Sequence, residues 1–238
     1  VAAPEVRVPG VGIWHSRFRR GKWSPATLVP KVNETAHWNP VLFRAGGETV
    51  YAFFKFGPEI PDWQTYWMQR DDCGETWTEP VELVPGDHGG RGPVKNKSIV
   101  LSDGSWLAGA STEKDGWRPF SDKSTNKGLT WTRSDNFDLF EIPGRGAIQP
   151  TLWESKPGYV HALMRTSMGK TVRADSNDGG TTWGRVYETS LPNNNSGLDL
   201  VQFDDGELLL VLNPVGKNWG PRTPLSLARS TDNGETWT

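Results

Sequence analysis

Short runs of apolar and β-branched residues alternate along the chain with tight-turn residues, and the same succession keeps returning. Residues 97–101 (Lys-Ser-Ile-Val-Leu) run into a turn at Ser102-Asp-Gly104, and a second run follows from Ser105 to Gly109. The order repeats at 150–153, with a turn at Lys156-Pro-Gly158 and a second run at 159–164. It repeats again at 198–203, with a turn at Asp204-Asp-Gly206 and a second run at 207–212. Asp-Gly between β-rich runs predicts a hairpin. A third run, such as 223–230, leads into a tryptophan phrase, and a fourth, such as 80–84, follows one. Each unit therefore predicts four short antiparallel strands.

The tryptophan phrases set the period. Trp23, Trp77, Trp131, Trp183 and Trp237 stand 54, 54, 52 and 54 residues apart. Four of them close similar phrases: Asp71-Asp-Cys-Gly-Glu-Thr-Trp77, Thr125-Asn-Lys-Gly-Leu-Thr-Trp131, Asn177-Asp-Gly-Gly-Thr-Thr-Trp183 and Thr231-Asp-Asn-Gly-Glu-Thr-Trp237; Arg20-Gly-Lys-Trp23 is a shortened form. A fixed period of this size marks repeated supersecondary units. Four-stranded antiparallel units repeated radially make an all-β propeller. The phrase residues have a mechanical role: Asp71, Asn126, Asp178 and Asp232 bond amides within a turn, Gly74, Gly128, Gly180 and Gly234 accept positive φ, and the tryptophans pack between units. The units fall at 36–84, 93–137 and 147–190, with partial ones at 1–30 and 196–238, in one domain across 1–238. A six-bladed ring of this period needs roughly 320 residues, so the 238 present read as an incomplete set of blades.

Composition narrows the class. With 27 Gly, 18 Pro and 13 Trp, the chain is turn-rich and aromatic. It contains no apolar run long enough for a membrane span. A formal charge of -2 without a basic stripe excludes nucleic acid as the expected partner. Cys73 is alone, so no internal disulfide forms and the redox compartment stays open. No signal peptide is visible, and location is left undetermined, secreted and periplasmic included. Asn33, Asn96 and Asn194 open matches to the N-glycosylation tripeptide, a number that chance supplies in such a chain. His15, His37, His88 and His161 lack zinc-ligand spacing, and neither metal nor cofactor is called for.

Topology locates the chemistry. The starts of the first strands and the ends of the second strands lie on one face, opposite the tryptophan phrases. That face collects His37 and Asn39, Lys55, Lys95 and Lys97, Glu113, Arg118, Gln149, Arg165, Asn195, Asp199, Asn213 and Arg222. Lysines and arginines aimed into one pocket suit a carboxylate held by charge-assisted hydrogen bonds. Trp38, Trp63, Trp117 and Trp219 near the same rim suit sugar faces. Glycoside cleavage generally uses two carboxyl groups; position nominates Glu113 and Asp199. For each candidate a structural role is the alternative, a buried ion pair for Glu113 and Arg165 and loop ordering for Asp199.

The tryptophan phrases resemble the Asp boxes of sialidases, and the whole pattern is similar to the sialidase-like BNR-repeat family. The resemblance runs through Val11-Gly-Ile-Trp14, Trp38-Asn-Pro-Val-Leu-Phe43, Gly92-Pro-Val-Lys-Asn-Lys97, Ile148-Gln-Pro-Thr151, Asn195-Ser-Gly197 and Arg222-Thr-Pro-Leu225. It implies a six-bladed propeller in which three arginines hold the sialic-acid carboxylate, an aspartate is acid/base, and a glutamate-activated tyrosine is nucleophile. Arg165 is placed like one of those arginines. Asn213 stands where another would be expected, no Phe/Tyr-Arg-Ile-Pro segment occurs, and Gly197 and Leu198 stand where the tyrosine's glutamate is expected, with Asp199 close by. The expectation is an exo-acting glycoside hydrolase of sialidase type for a terminal anionic sugar. Two alternatives stand beside it: a uronate-directed lyase using His37 or a tyrosine as base, and a non-catalytic glycan-binding propeller. The last is favoured if Glu113 and Asp199 are separated or salt-bridged.

Overall fold

The computed structural model describes residues 11–71, 76–139, 142 and 144–238. Within them the chain is all-β and forms a four-blade arc of a propeller, consistent with an incomplete six-bladed ring. Blade I comprises β5 (His37–Phe43), β6 (Val50–Phe56), β7 (Gln64–Arg70) and β8 (Val81–Glu82), after two short pairs built from β1 (Trp14–His15), β2 (Phe18–Arg19), β3 (Lys22–Trp23) and β4 (Thr27–Leu28). Blade II comprises β9 (Ile99–Val100), β10 (Trp106–Thr112), β11 (Arg118–Ser124) and β12 (Thr132–Arg133). Blade III holds β13 (Ala147–Lys156), β14 (Tyr159–Thr166), β15 (Lys170–Ser176) and β16 (Tyr187–Pro192), and blade IV holds β17 (Asp199–Gln202), β18 (Leu208–Leu212) and β19 (Ser226–Ser230). Among the described residues no helix is long and apolar enough to cross a membrane.

The second strands explain why the hydrophobic pattern is continuous rather than alternating. In β10 and β14 nearly every residue is buried, because neighbouring blades cover both faces of the sheet. The apolar clusters accordingly form between blades. Val41, Phe43, Phe53 and Leu83 of blade I meet Trp106, Ala108 and Trp131 of blade II. Leu101, Leu107 and Phe137 meet Leu152, Val160 and Ala162 of blade III, and Trp153 and Leu163 meet Leu200, Leu208 and Leu210 of blade IV. The expected strand 97–101 shortens to β9, because Lys97 turns across the axis and the Leu101 amide closes a tight turn on the Ser105 carbonyl at 2.8 Å.

Three tryptophan turns share one hydrogen-bond pattern. Ser124, Ser176 and Ser230 each donate Oγ to the side-chain oxygen of Asn126, Asp178 and Asp232 at 2.8–3.0 Å. The same hydroxyls accept the amides of Gly128, Gly180 and Gly234, and each indole then donates to that glycine's carbonyl at 3.0–3.1 Å. The serine is a part of the motif that the sequence reading passed over. In the first turn Arg70 replaces it, and Asp71 stands one place earlier than the capping residue of the other turns, accepting Thr49 Oγ1 at 3.0 Å. The equivalent residue 72 and Gly74 lie outside the described residues.

Trp131 and Trp183 are wedged into the preceding blade. Trp131 meets Phe53 edge-on at 6.0 Å, while Trp183 lies 4.4 Å from Phe137 and donates to Ser121 Oγ at 3.0 Å. Trp77 packs beside Ala52, Phe54 and Met68 and meets His15 edge-on. A Cβ at Gly180, whose φ is +78°, would stand 2.5 Å from Leu107 Cδ2, so glycine serves both turn and seam. Trp23, the shortened repeat's tryptophan, is 69% exposed. Trp131→Ala is expected to destabilise the fold by about 3–5 kcal/mol, and Trp23→Ala by no more than ~0.5 kcal/mol. Urea unfolding of the two variants measures the difference.

Candidate functional site

The first strands of all four blades line a cavity of about 410 Å³ toward their far ends, walled by residues 42–44, 97–100, 152–154 and 200–202, of which only Lys97 is a candidate residue. At the other end of the first strands a rim is marked by non-glycine residues in the left-handed region, two residues into β5 and β13 and four residues ahead of β9 and β17: Asn39 (φ 46°), Gln149 (57°), Lys95 (62°) and Asn195 (66°). In β5 and β13 the ladder skips a residue there, between Trp38 and Val41 and between Ile148 and Thr151. Pro40 and Pro150 sit in these bulges, where no ladder donor is needed. Left-handed conformation costs a non-glycine residue free energy and gathers at functional sites. Its appearance once per blade, always on a polar residue, marks this rim.

Arg165, near the end of β14, is the centre of the rim cluster. It is 8% exposed. Its Nε donates to Asn195 Oδ1 at 3.2 Å and its Nη1 to Gln149 Oε1 at 3.1 Å. Its guanidinium lies 5.3 Å from the Trp117 ring centroid, within cation–π range. No carboxylate of the described residues forms a salt bridge with it. Burial pushes its pKa down; nearby Glu113 opposes this and Arg222 adds to it. Glu113 in turn accepts the Trp117 Nε1–H at 3.0 Å, and Arg145 stands 5.9 Å from the same indole's centroid. Asn195 Nδ2 donates to Asn218 Oδ1 at 3.1 Å, and the Gln149 carbonyl accepts Asn96 Nδ2 at 2.8 Å.

The structure thus brings Glu113, Gln149, Arg165, Asn195 and Arg222 together, with Trp117. Arg145 and Asn218 join them and were missed. Gly144-Arg-Gly146, immediately before the Ile148-Gln-Pro run, was the available signal.

Other expected residues lie elsewhere or are spent on structure. Asp199 belongs to a separate cluster: it accepts Thr151 Oγ1 at 2.6 Å and Lys97 Nζ at 3.1 Å, tying blades II, III and IV across the axis. It shares no hydrogen-bonding partner with Glu113. Asn213 holds a loop, donating to the carbonyls of Arg222 and Pro224 and accepting Ser196 Oγ. His37 is buried against Phe54 and Phe56, its Nε2 accepts the Val32 amide, and burial lowers its pKa. Trp38 and Trp63 stack on each other at 5.9 Å, and both donate to the Gly57 carbonyl. Asn39 is half-buried at the rim, whereas Lys95, Arg118 and Trp219 are exposed. Asn96 and Asn194, which open two of the glycosylation matches, are buried and hydrogen-bonded.

Lys55 is buried behind Glu113, and both line a void of about 20 Å³. Its Nζ donates to Thr65 Oγ1 at 2.8 Å, the Arg91 carbonyl at 2.6 Å and the Gly90 carbonyl at 3.2 Å. It pins the 86–94 loop to blade I. Burial lowers its pKa to about 7.

A further cluster at the other end of blade III has the order Ser155–His161–Asp175, with Ser155 Oγ 2.7 Å from Nε2 and Nδ1 2.5 Å from Oδ1. It is a clasp. The Arg173 guanidinium lies 3.0 Å from Nδ1 and donates at 2.9 Å to the Asn233 carbonyl in the blade IV turn, so the cluster fastens blade III to blade IV. Burial would raise the Asp175 pKa, but hydrogen bonds from His161, Arg173 and Tyr187 hold it at about 2.

A profile of the BNR repeat-like domain matches residues 5–238. The chain belongs to that family. A comparison with curated proteins gave no match. Among solved structures, a protein of unknown function from Dyadobacter fermentans is similar with a TM-score of 0.75 at 17% identity, over 98% of this chain and 72% of that one. The Trypanosoma rangeli sialidase in complex with the inhibitor DANA matches with a TM-score of 0.68 at 16% identity, over 90% of this chain. The NanB sialidase from Streptococcus pneumoniae matches with a TM-score of 0.54 at 17% identity, over 96% of this chain. This chain spans 40% of the former sialidase and 33% of the latter. At these identities the likeness is one of fold.

The folded pKa of Lys55 lies well below the usual lysine value of 10.5. Between about pH 7 and 10 the unfolded chain therefore holds a proton that the folded protein has released, and stability rises with pH over that window. Lys55→Met should remove this part of the slope, read from urea midpoints across the same range.

Proposed function

We propose that the rim binds the carboxylate of a terminal anionic sugar, and that the protein is an exo-acting glycoside hydrolase of sialidase type. The observation carrying this reading is Arg165. A guanidinium held by two neutral amides over an indole face keeps its charge for an incoming anion. Arg145 and Arg222 flank it, so the electrostatic field at the rim favours anions. Glu113, beside Trp117, is the carboxyl group placed to exchange a proton with the leaving oxygen. The family and the sialidases among proteins of like fold support the same reading.

A second reading, glycan binding without cleavage, is favoured by one observation. Asp199 is engaged by Lys97 and Thr151 rather than standing opposite Glu113. The lyase reading loses one of its two nominated bases, because His37 is buried against Phe54 and Phe56.

The test is turnover of a fluorogenic N-acetylneuraminic acid glycoside by the wild-type protein, Arg165→Ala and Glu113→Gln. Release of free sialic acid, reduced at least 100-fold in both variants, is the expected result. Binding of N-acetylneuraminic acid without turnover selects the second reading. An unsaturated uronate product from a uronic-acid glycan selects the lyase. Absence of any binding to either sugar acid overturns the proposal.

A further inference from the structure

Arg165 is the most buried cation of the rim cluster, yet both groups that grip it are amides. Gln149 and Asn195 are themselves 6% and 1% exposed, and each occupies a left-handed backbone position, with φ of 57° and 66°. Their orientations are fixed by neighbours: Asn195 Nδ2 donates to Asn218, leaving Oδ1 for the guanidinium, and Asn96 fastens the Gln149 carbonyl. Elsewhere this chain pairs its buried arginines with carboxylates. Arg91 makes a two-oxygen contact with Asp122, and Arg173 bonds Asp175. Glutamate and aspartate are nearly isosteric with these amides, so shape alone does not explain the choice.

We infer that Gln149 and Asn195 are positioning residues that select ligand charge, aiming Arg165 from two strained backbone positions through neutral oxygens so that its full charge meets one carboxylate. Nε and Nη1 are engaged, and Nη2 has no partner among the described residues. The second hydrogen of Nη1 and both of Nη2 therefore remain to meet a carboxylate through charge-assisted hydrogen bonds. Glu113, Arg222 and Arg145 are the other charged groups around it. A carboxylate at position 149 or 195 would make an internal ion pair, compete with the ligand, and stabilise the empty protein. The inference rests on the anionic-sugar reading for its ligand, but not for its electrostatics.

The experiment separates the two. Melting temperatures at pH 7 are measured for wild type, Gln149→Glu, Asn195→Asp, Arg165→Met and the two double variants, without ligand. Each acidic substitution is expected to shift the melting temperature about 2–4 °C more favourably with Arg165 present than with Met there. The double-mutant comparison cancels the cost of burying the new carboxylate. Affinity for N-acetylneuraminic acid, measured by calorimetry, should fall at least tenfold in both single acidic variants. Equal shifts with and without Arg165 would overturn the inference, as would affinity kept within twofold in both variants. Coupling in the melting data, with no binding of N-acetylneuraminic or glucuronic acid by wild type, supports the charge arrangement and overturns the functional reading. If one acidic variant fails to fold, the other carries the same comparison.

Discussion

Everything in this fold depends on the seam between blades. Among the described residues each apolar cluster is assembled from two neighbours, and Trp131 and Trp183 enter the blade before their own. The serine–carboxylate–glycine turn aims the Trp183 indole, and the close approach of Gly180 to Leu107 leaves little slack. Stability is therefore a sum of nearest-neighbour terms, as in other repeat proteins. The second strands, covered on both faces, become rigid beams. Arg165 and Glu113 sit at or just beyond the ends of two such beams in adjacent blades, so their relative placement is fixed by the seam rather than by a loop.

The fold was legible because its signals are local and periodic. Trp131, Trp183 and Trp237 announce their turns, and the Asp-Gly pairs at 103–104 and 205–206 announce hairpins. The site was legible in part, for a related reason: strand polarity alone predicts that Gln149, Arg165 and Asn195 share a face. Side-chain partnership was not legible. Lys97 reaches Asp199 across 102 residues of sequence, and Trp117 reaches Glu113 only because the residues between them double back. Nor does spacing reveal that Asn213 and His37 are consumed by backbone groups. Arg145 escaped notice because its place at the rim is set by the backbone bond from the Trp117 amide to its carbonyl.

The rim repeats its own device. Asn39, Lys95, Gln149 and Asn195 open successive blades in the same left-handed conformation, which a strand under no other constraint would relieve with glycine. A polar side chain retained at each position implies that the side chain is worth the strain. In blades III and IV its use is visible, since Gln149 and Asn195 hold Arg165. The repeat thus supplies equivalent positions along one rim, and in blades III and IV their residues bridge neighbouring blades.

Charge is sorted by depth. Thr151 lies two residues beyond Gln149 on β13, about 6–7 Å further along the strand, and Asp199 lies four beyond Asn195. There the axis is self-compensated: Lys97 and Asp199 neutralise one another, and Thr151 donates to the same carboxylate oxygen. At the rim Arg165 is hydrogen-bonded by amides and faces an indole, with Glu113 nearby but forming no salt bridge with it among the described residues. An anion arriving from solvent thus meets an attractive charge at the rim and a neutral pair behind it. On the reading proposed above, that ordering suits a terminal anionic sugar, gripped at the rim beside Glu113 while the rest of the glycan remains outside.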